Sequence, residues 1–215
     1  MSDRAPGGWP PPVELRVVLE EAREFGLLGP GPIDPQLEHS ANLAGAIGPF
    51  EGAFLDLGSG GGLPGLVLAG AWPTATGVLL DAQRRRCEFL SRAVARLGLG
   101  ARLEVACGRA ETLARSDALR ARFDLVVARS FGAPSTTAEC AVGFLRGGGA
   151  LVVTEPPVTP TPSPRWDPAG MQRLGFGEVI EIRQGGTGAI RTELERGPDD
   201  QWPRRDGIPG KRPLW

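Results

Sequence analysis

Apolar residues recur at helical spacing near the start of the chain and then change period. Leu15, Val18, Leu19, Ala22 and Phe25 fall three or four positions apart, which predicts an amphipathic helix closed by Gly26. A Gly/Pro loop over 26–36 leads to a second, weaker helical stretch over 35–47, which contains His39, expected as a packed or solvent-exposed histidine, the alternative being a place in a substrate cleft. From Ala53 onward, short apolar runs alternate with helical ones. Strands are predicted at 54–57, 76–80, 102–106, 123–128 and 150–154. Helices are predicted over 83–97 and 134–146, and a further one behind the first strand carries Leu66, Val67, Leu68 and Ala69. A proline-rich loop follows at 155–168, then a short helix at 171–174 that stops at Gly175. Residues 176–183 and 190–195 alternate around 184–188 and read as an antiparallel hairpin closing the sheet. The expected fold class is α/β, with a mostly parallel sheet, helices on both faces and a C-terminal antiparallel hairpin. Residues 1–12 are expected to be disordered, 13–48 to form a short helical extension, 49–200 the α/β domain and 201–215 a tail. No internal repeat is visible.

The stretch that organises this pattern runs Phe54-Leu55-Asp56-Leu57-Gly58-Ser59-Gly60-Gly61-Gly62-Leu63-Pro64-Gly65. An apolar run reaches an acid, glycines follow at alternate positions, and an apolar helix begins at once. Gly58, Gly60 and Gly62 allow positive φ and a close approach of a ligand to bare backbone. Pro64 suits a helix's first turn, where its missing N–H is no loss. Asp56 falls at the carboxyl end of a strand, where open α/β sheets bind ligands. Gly60-x-Gly62-x-x-Gly65 satisfies the dinucleotide fingerprint, and the overlapping Asp-x-Gly-x-Gly-x-Gly resembles the first motif of class I methyltransferases that use S-adenosylmethionine. Asp81 stands 21 residues after Gly60, the spacing of an acid that accepts from a ribose hydroxyl. Both cofactors carry a ribose, and Asp81 also suits a helix N-cap, so it does not choose between them.

Composition narrows the partners. The chain has 215 residues, is 41% hydrophobic and 23% charged, and carries a net charge of −1, so nucleic-acid binding must rest on a local patch. Cys87, Cys107 and Cys140 are widely spaced and His39 is the one histidine, which argues against a metal site and a disulfide framework. No apolar run reaches membrane-spanning length and no signal-peptide core is present, so a cytoplasmic protein is expected. On helix 83–97, Cys87, Leu90, Val94 and Leu97 face inward, and Arg84, Arg85, Arg92 and Arg96 lie mostly off that face, with Glu88 and Arg92 expected to pair. Arg129, emerging from the fourth strand, is expected to face the ligand crevice, the alternative being a salt bridge to Asp124 or Glu111.

Taken together, several stretches resemble the bacterial 16S ribosomal RNA methyltransferase G family, also called glucose-inhibited division protein B. They are Leu55 to Gly65, Leu79-Leu80-Asp81 with Arg85-Arg86 and Phe89-Leu90, Arg109-Ala110-Glu111, Val127-Ala128-Arg129-Ser130-Phe131, and the tail from Trp202-Pro203-Arg204-Arg205 to Pro213-Leu214. The resemblance implies a class I methyltransferase (Rossmann-like) fold and transfer of a methyl group from S-adenosylmethionine to N7 of a guanine in 16S ribosomal RNA of the 30S subunit. It implies that Gly58, Gly60 and Leu63 flank the cofactor, Asp81 its ribose, and Ala110 and Glu111 its adenine. Arg129 would line the site as its catalytic residue. The family's His-Ile-Leu-Asp-Ser stretch appears here as His39-Ser40-Ala41-Asn42-Leu43, and Thr154-Glu155-Pro156 stands where the fifth strand ordinarily leads to Lys-Gly. A same-fold methyltransferase with another RNA or small-molecule substrate, and a non-catalytic ribosome-associated protein, are the alternatives. A monomer without membrane or metal is expected.

The tail is the clearest candidate RNA contact in a nearly neutral chain. Arg204, Arg205, Lys211 and Arg212 stand against Asp206 alone, a side-chain net of +3, and Pro203, Pro209 and Pro213 limit its freedom. Trp202 and Trp215 are available to stack on bases. The alternative is a tail folded back over the sheet edge with Trp202 as anchor.

Overall fold

The computed structural model describes residues 12–156 and 165–215. Of the residues 1–12 expected to be disordered, 1–11 lie outside the described residues, as does part of the proline-rich loop, and Pro12 opens the first helix. Two helices come first, α1 (Pro12–Glu24) and α2 (Ile33–Ile47). Then β1 (Ala53–Leu57), α3 (Gly65–Ala71), β2 (Thr76–Asp81), α4 (Arg84–Arg96), β3 (Leu103–Cys107), α5 (Ala110–Leu113) and β4 (Phe123–Ala128) alternate. The chain continues through α6 (Pro134–Val142), β5 (Leu145–Thr154), α7 (Pro168–Leu174), β6 (Ile180–Gln184), β7 (Thr187–Glu193) and α8 (Ile208–Lys211).

The seven strands form one sheet in the order β3-β2-β1-β4-β5-β7-β6. The first five are parallel, and β5/β7 and β7/β6 are antiparallel, as the sequence pattern predicts. Order reverses between β1 and β4, so the loop after β1 opens at the switch point. Both faces of the central strands are covered, which is why β1, β2, β4 and the end of β5 read as unbroken apolar runs, while the edge strand β3 is only part-buried and the edge strand β6 largely exposed. Phe54, Leu79, Val127 and Val152 pack toward α1–α4, and Leu55, Leu80, Val126 and Leu151 toward α5–α7. Leu15, Val18, Leu19 and Ala22 of α1 dock on the first of these layers.

Three local features differ from the sequence reading. The predicted helix 134–146 stops at Val142, and the glycines expected to end it lie inside β5. Phe144 and Leu145 are fully buried, so the chain enters the sheet there. Pairing then shifts between Phe123↔Leu145 and Leu125↔Ala150, and the extra residues bulge around Gly148 at φ +79°. The hairpin turns on Gly185-Gly186, both at positive φ, so the connection has two residues where 184–188 is expected, β6 reaches Gln184 and β7 already begins at Thr187. On α4, Glu88 pairs with Arg84 at 2.9 Å instead of with Arg92; both partners are four residues away. At α7 the sequence logic is plain. Asp167 accepts from the Gly170 N–H, Pro168 opens the helix, and Gly175 closes it left-handed at φ +90°.

Candidate active site

The loop Gly58–Gly62 folds back on β2. The N–H groups of Gly58 and Ser59 both donate to the Leu80 carbonyl at 2.9 Å, and the Gly60 N–H donates to Asp81 Oδ2 at 3.0 Å. Gly58 and Gly60 take φ of +80° and +57°. A Cβ on Gly58 would stand 2.7 Å from the Phe131 ring, so glycine is needed for space as well as for conformation. Asp81 ties this loop to the next helix, because its Oδ1 accepts from the Gln83 N–H at 2.8 Å and its Oδ2 also meets Arg86 at 3.3 Å.

Beneath the loop, Asp56 is fully buried. Its Oδ2 accepts from the Gly65 N–H at 2.9 Å and its Oδ1 has no partner among the described residues. Burial pushes its pKa up to about 6, against the pull of Ser59, the Gly65 N–H and the Arg129 charge.

A cleft of about 720 Å³ opens above the loop. Gly58, Gly60 and Leu63 lie along it and Arg129 stands in it, so four of the predicted site residues converge. Arg129 donates to the neutral Gln36 Oε1 at 3.3 Å; the salt bridges considered for it are made by others, Arg146 to Asp124 and Arg109 to Glu111. Burial lowers its pKa and the Asp56 charge raises it. The next residue, Ser130, sits at φ +57°, a conformation a non-glycine side chain adopts at some cost, and such strain gathers at functional sites.

The adenine-end candidates lie apart from this cleft's lining. Ala110 and Glu111 are each 3% exposed at the start of α5, next to β2 through the Gly108 N–H bond to the Asp81 carbonyl at 3.0 Å. Glu111 Oε1 accepts from Arg109 at 2.7 Å and from the Gly207 N–H at 3.0 Å. Burial pushes its pKa up, but its own N–H, the Gly207 N–H and Arg109 outweigh that and hold it low.

The tail corrects one expectation. Arg204, expected to meet RNA, donates its N–H, Nε and Nη2 to Glu139, a carboxylate with no exposed surface on α6, at 2.9, 2.7 and 2.6 Å. Trp202 is 2% exposed, Arg120 holds its carbonyl at 3.0 Å, and the Leu214 N–H donates to Ser135 Oγ at 2.8 Å. The segment is folded onto the domain as a strap. Arg205, Lys211 and Arg212 remain exposed on its outside.

Sequence reasoning left several cleft residues unassigned: Leu27, Gln36, Phe131, Glu155 and Trp166. Phe131 carries a signal in its place in Arg-Ser-Phe, and Glu155 in the Thr154-Glu155-Pro156 that departs from the family's Lys-Gly. His39, expected as a packed or solvent-exposed histidine, instead lines the cleft and meets Thr187 Oγ1 at 3.2 Å; burial and then the Arg129 charge lower its pKa.

A Rossmann-like sheet with a glycine loop at its switch point is the class I methyltransferase architecture, and solved structures share it. Cofactor-bound Rv0187 from MTB aligns with a TM-score of 0.58 at 21% identity, over 87% of this chain and 92% of that one. A Geobacter sulfurreducens methyltransferase gives 0.58 at 16% identity, over 86% and 89%. An O-methyltransferase from Bacillus cereus in complex with SAH gives 0.55 at 15%, over 86% and 92%. At such identities the likeness is one of fold.

The family described as GidB, rRNA small subunit methyltransferase G, matches residues 32–155. Ribosomal RNA small subunit methyltransferase G of Rubrobacter xylanophilus is 34% identical over 94% of this chain and 82% of its own length. That of Moorella thermoacetica is 34% identical over 77% and 71%. The chain belongs to the rRNA small subunit methyltransferase G family.

Proposed function

We propose that this protein transfers a methyl group from S-adenosylmethionine to N7 of a guanine in 16S ribosomal RNA, acting as a monomer in the cytoplasm on the 30S subunit. One observation carries the reading: the glycine loop of a family member forms the wall of a 720 Å³ cleft that also holds Arg129. The residues present fit the cofactor. Gly58 and Gly60, at φ of +80° and +57°, present bare backbone to the cleft, and beneath them a buried carboxyl oxygen of Asp56 has no partner among the described residues. Gly58, Gly60 and Leu63 would hold its amino-acid end, Asp81 its ribose, and Ala110 and Glu111 its adenine. When bound, it supplies an already electrophilic methyl sulfonium.

Guanine N7 offers a free lone pair, so no proton has to be removed before attack. The chain's work is therefore placement, which is worth roughly 7–11 kcal/mol when reacting atoms are held in line. Arg129 is suited to hold a polyanionic substrate, because its hydrogen-bond partner is a neutral amide and not a carboxylate. Arg205, Lys211 and Arg212 offer phosphate contacts outside the cleft. No helix among the described residues is long and apolar enough to cross a membrane, and no acid, His or Cys cluster among them is placed to bind a metal.

The test is transfer of labelled methyl from S-adenosylmethionine to purified 30S subunits, followed by digestion to nucleosides. Label in 7-methylguanosine is expected. A protein that binds S-adenosylhomocysteine but labels neither 30S subunits nor free 16S RNA contradicts the proposal and turns attention to another substrate.

A further inference from the structure

Glu155 is the one carboxylate side chain that lines the cleft among the described residues, and the methyl-transfer reading gives it no role. It stands one residue past the end of β5, its N–H donating to the Gly188 carbonyl at 2.9 Å. Its side chain is 20% exposed and held from two directions. Oε1 accepts from the Trp166 indole N–H at 2.9 Å, and Oε2 pairs with Arg165 at 2.5 Å. A carboxylate has about four lone-pair sites, so each oxygen keeps one acceptor position after these bonds. Two acceptors side by side are the complement of two donors side by side. Of the four RNA bases, only guanine presents adjacent donors on its Watson–Crick edge, N1–H and the 2-amino group. Adenine and cytosine pair a donor with an acceptor there, and uracil has one donor between acceptors. Arg165 offsets the carboxylate charge, which would otherwise repel phosphates.

Topology supports the same assignment. Glu155 follows β5, the glycine loop follows β1, and β4 alone lies between those strands. The strands that carry the two ends lie two spacings apart, about 9.5 Å, which is the scale of one purine. N7 lies on the side of guanine opposite N1 and the 2-amino group. A base anchored by that edge at β5 therefore turns N7 toward the glycine loop. Phe131, which follows β4 and packs against Gly58, offers an aromatic face on the way.

We propose that Glu155 is the base-reading residue of this enzyme, accepting N1–H and the 2-amino group of the acceptor guanine while Trp166 and Arg165 hold it in place. This rests on the guanine-N7 reading above. Glu155→Gln tests it, since the amide keeps an acceptor for one partner but sets a donor against a guanine donor. We expect kcat/KM for 7-methylguanosine formation on 30S subunits to fall about 10- to 100-fold. Affinity for S-adenosylhomocysteine should stay within about twofold, because the substitution leaves the glycine loop untouched. Glu155→Asp, which keeps the carboxylate, should recover part of the loss.

A second readout separates reading a base from supporting a loop. Subunits carrying inosine at the mapped nucleotide lack the 2-amino group. They should be poor substrates for the wild-type enzyme, and Glu155→Gln should be nearly indifferent to the change. Glu155→Gln with wild-type kcat/KM, or equal sensitivity of both enzymes to inosine, overturns the inference alone. Wild-type enzyme that methylates 30S subunits at a position other than guanine N7 overturns the underlying reading and this inference together.

Discussion

Two arginines that look alike in the sequence end in opposite situations. Arg129 stands in the cleft over the glycine loop, with the neutral Gln36 as its hydrogen-bond partner. Arg204 lies in a cationic tail and is locked by three bonds onto the buried Glu139, with its Nη2 also donating to the Arg212 carbonyl. A charged run on paper is not a charged surface. What decides is whether the fold leaves a buried acid elsewhere that needs a cation. Glu139 is the only charged residue in α6, and the strap neutralises it. The strap also reaches the expected adenine end of the cofactor site, since the Gly207 N–H holds Glu111 and Asp206 accepts from Thr112 at 2.8 Å. The cleft is thus the proposed place of chemistry and the tail the brace that supports it.

The largest effect expected on the cleft side is from Gly60→Val. A branched side chain at φ +57° is strained and would occupy the space proposed for the cofactor. Calorimetry should detect no S-adenosylhomocysteine binding in a protein that retains its wild-type circular dichroism. Binding within a few-fold of wild type would remove the loop from the site.

On the tail side, deleting residues 203–215 removes both the partner of Glu139 and the strap that covers it. Loss of one partner of a buried pair costs about 3–5 kcal/mol, which at this chain length lowers melting by roughly 6–20 °C. Unchanged melting with a flattened salt dependence of RNA binding would return the tail to the role of an RNA arm.

Asp56 sharpens the comparison through pH. Its folded pKa of about 6 lies above the ordinary 3.8 because burial disfavours the charge. The folded state therefore keeps a proton that the unfolded chain loses, and stability from this group falls as pH rises from about 4 to 6. Asp56→Asn removes that loss. Its stability relative to wild type should rise by roughly 3 kcal/mol between pH 4 and pH 8 in denaturant titrations. Parallel profiles for the two proteins would show that the carboxyl is already ionised at low pH.

The smallest effect is expected from Arg84→Ala, whose exposed pair with Glu88 is worth less than about 0.5 kcal/mol and sets the background for the other variants.

Much of this architecture is legible in one sequence because its period is strong. The alternation from Ala53 to Thr154, the glycine loop and the hairpin all follow from local rules of strand, turn and helix. The helix end at Val142 is not legible, because Phe144 and Leu145 join the sheet through partners on β4, more than twenty positions earlier. The commitment of Arg204 to Glu139 spans 65 residues and leaves no trace in local charge. Gln36 and Glu155 reach the cleft only once α2 and the end of β5 are brought over the switch point. Gly58, Gly60 and Arg129 are legible because each follows the carboxyl end of a strand, where the topology makes a crevice; Leu63 is named only by the family resemblance.

The most direct test sets Arg129→Ala beside Arg204→Ala, with methyl transfer to 30S subunits and thermal melting measured on both. Arg129→Ala is expected to lower kcat/KM about 10- to 100-fold through lost placement and to melt within about 3 °C of wild type. Arg204→Ala is expected to melt early and, below its transition, to transfer methyl groups at close to the wild-type rate. A folded Arg129→Ala protein with wild-type transfer kinetics would contradict the assignment of the chemistry to this cleft.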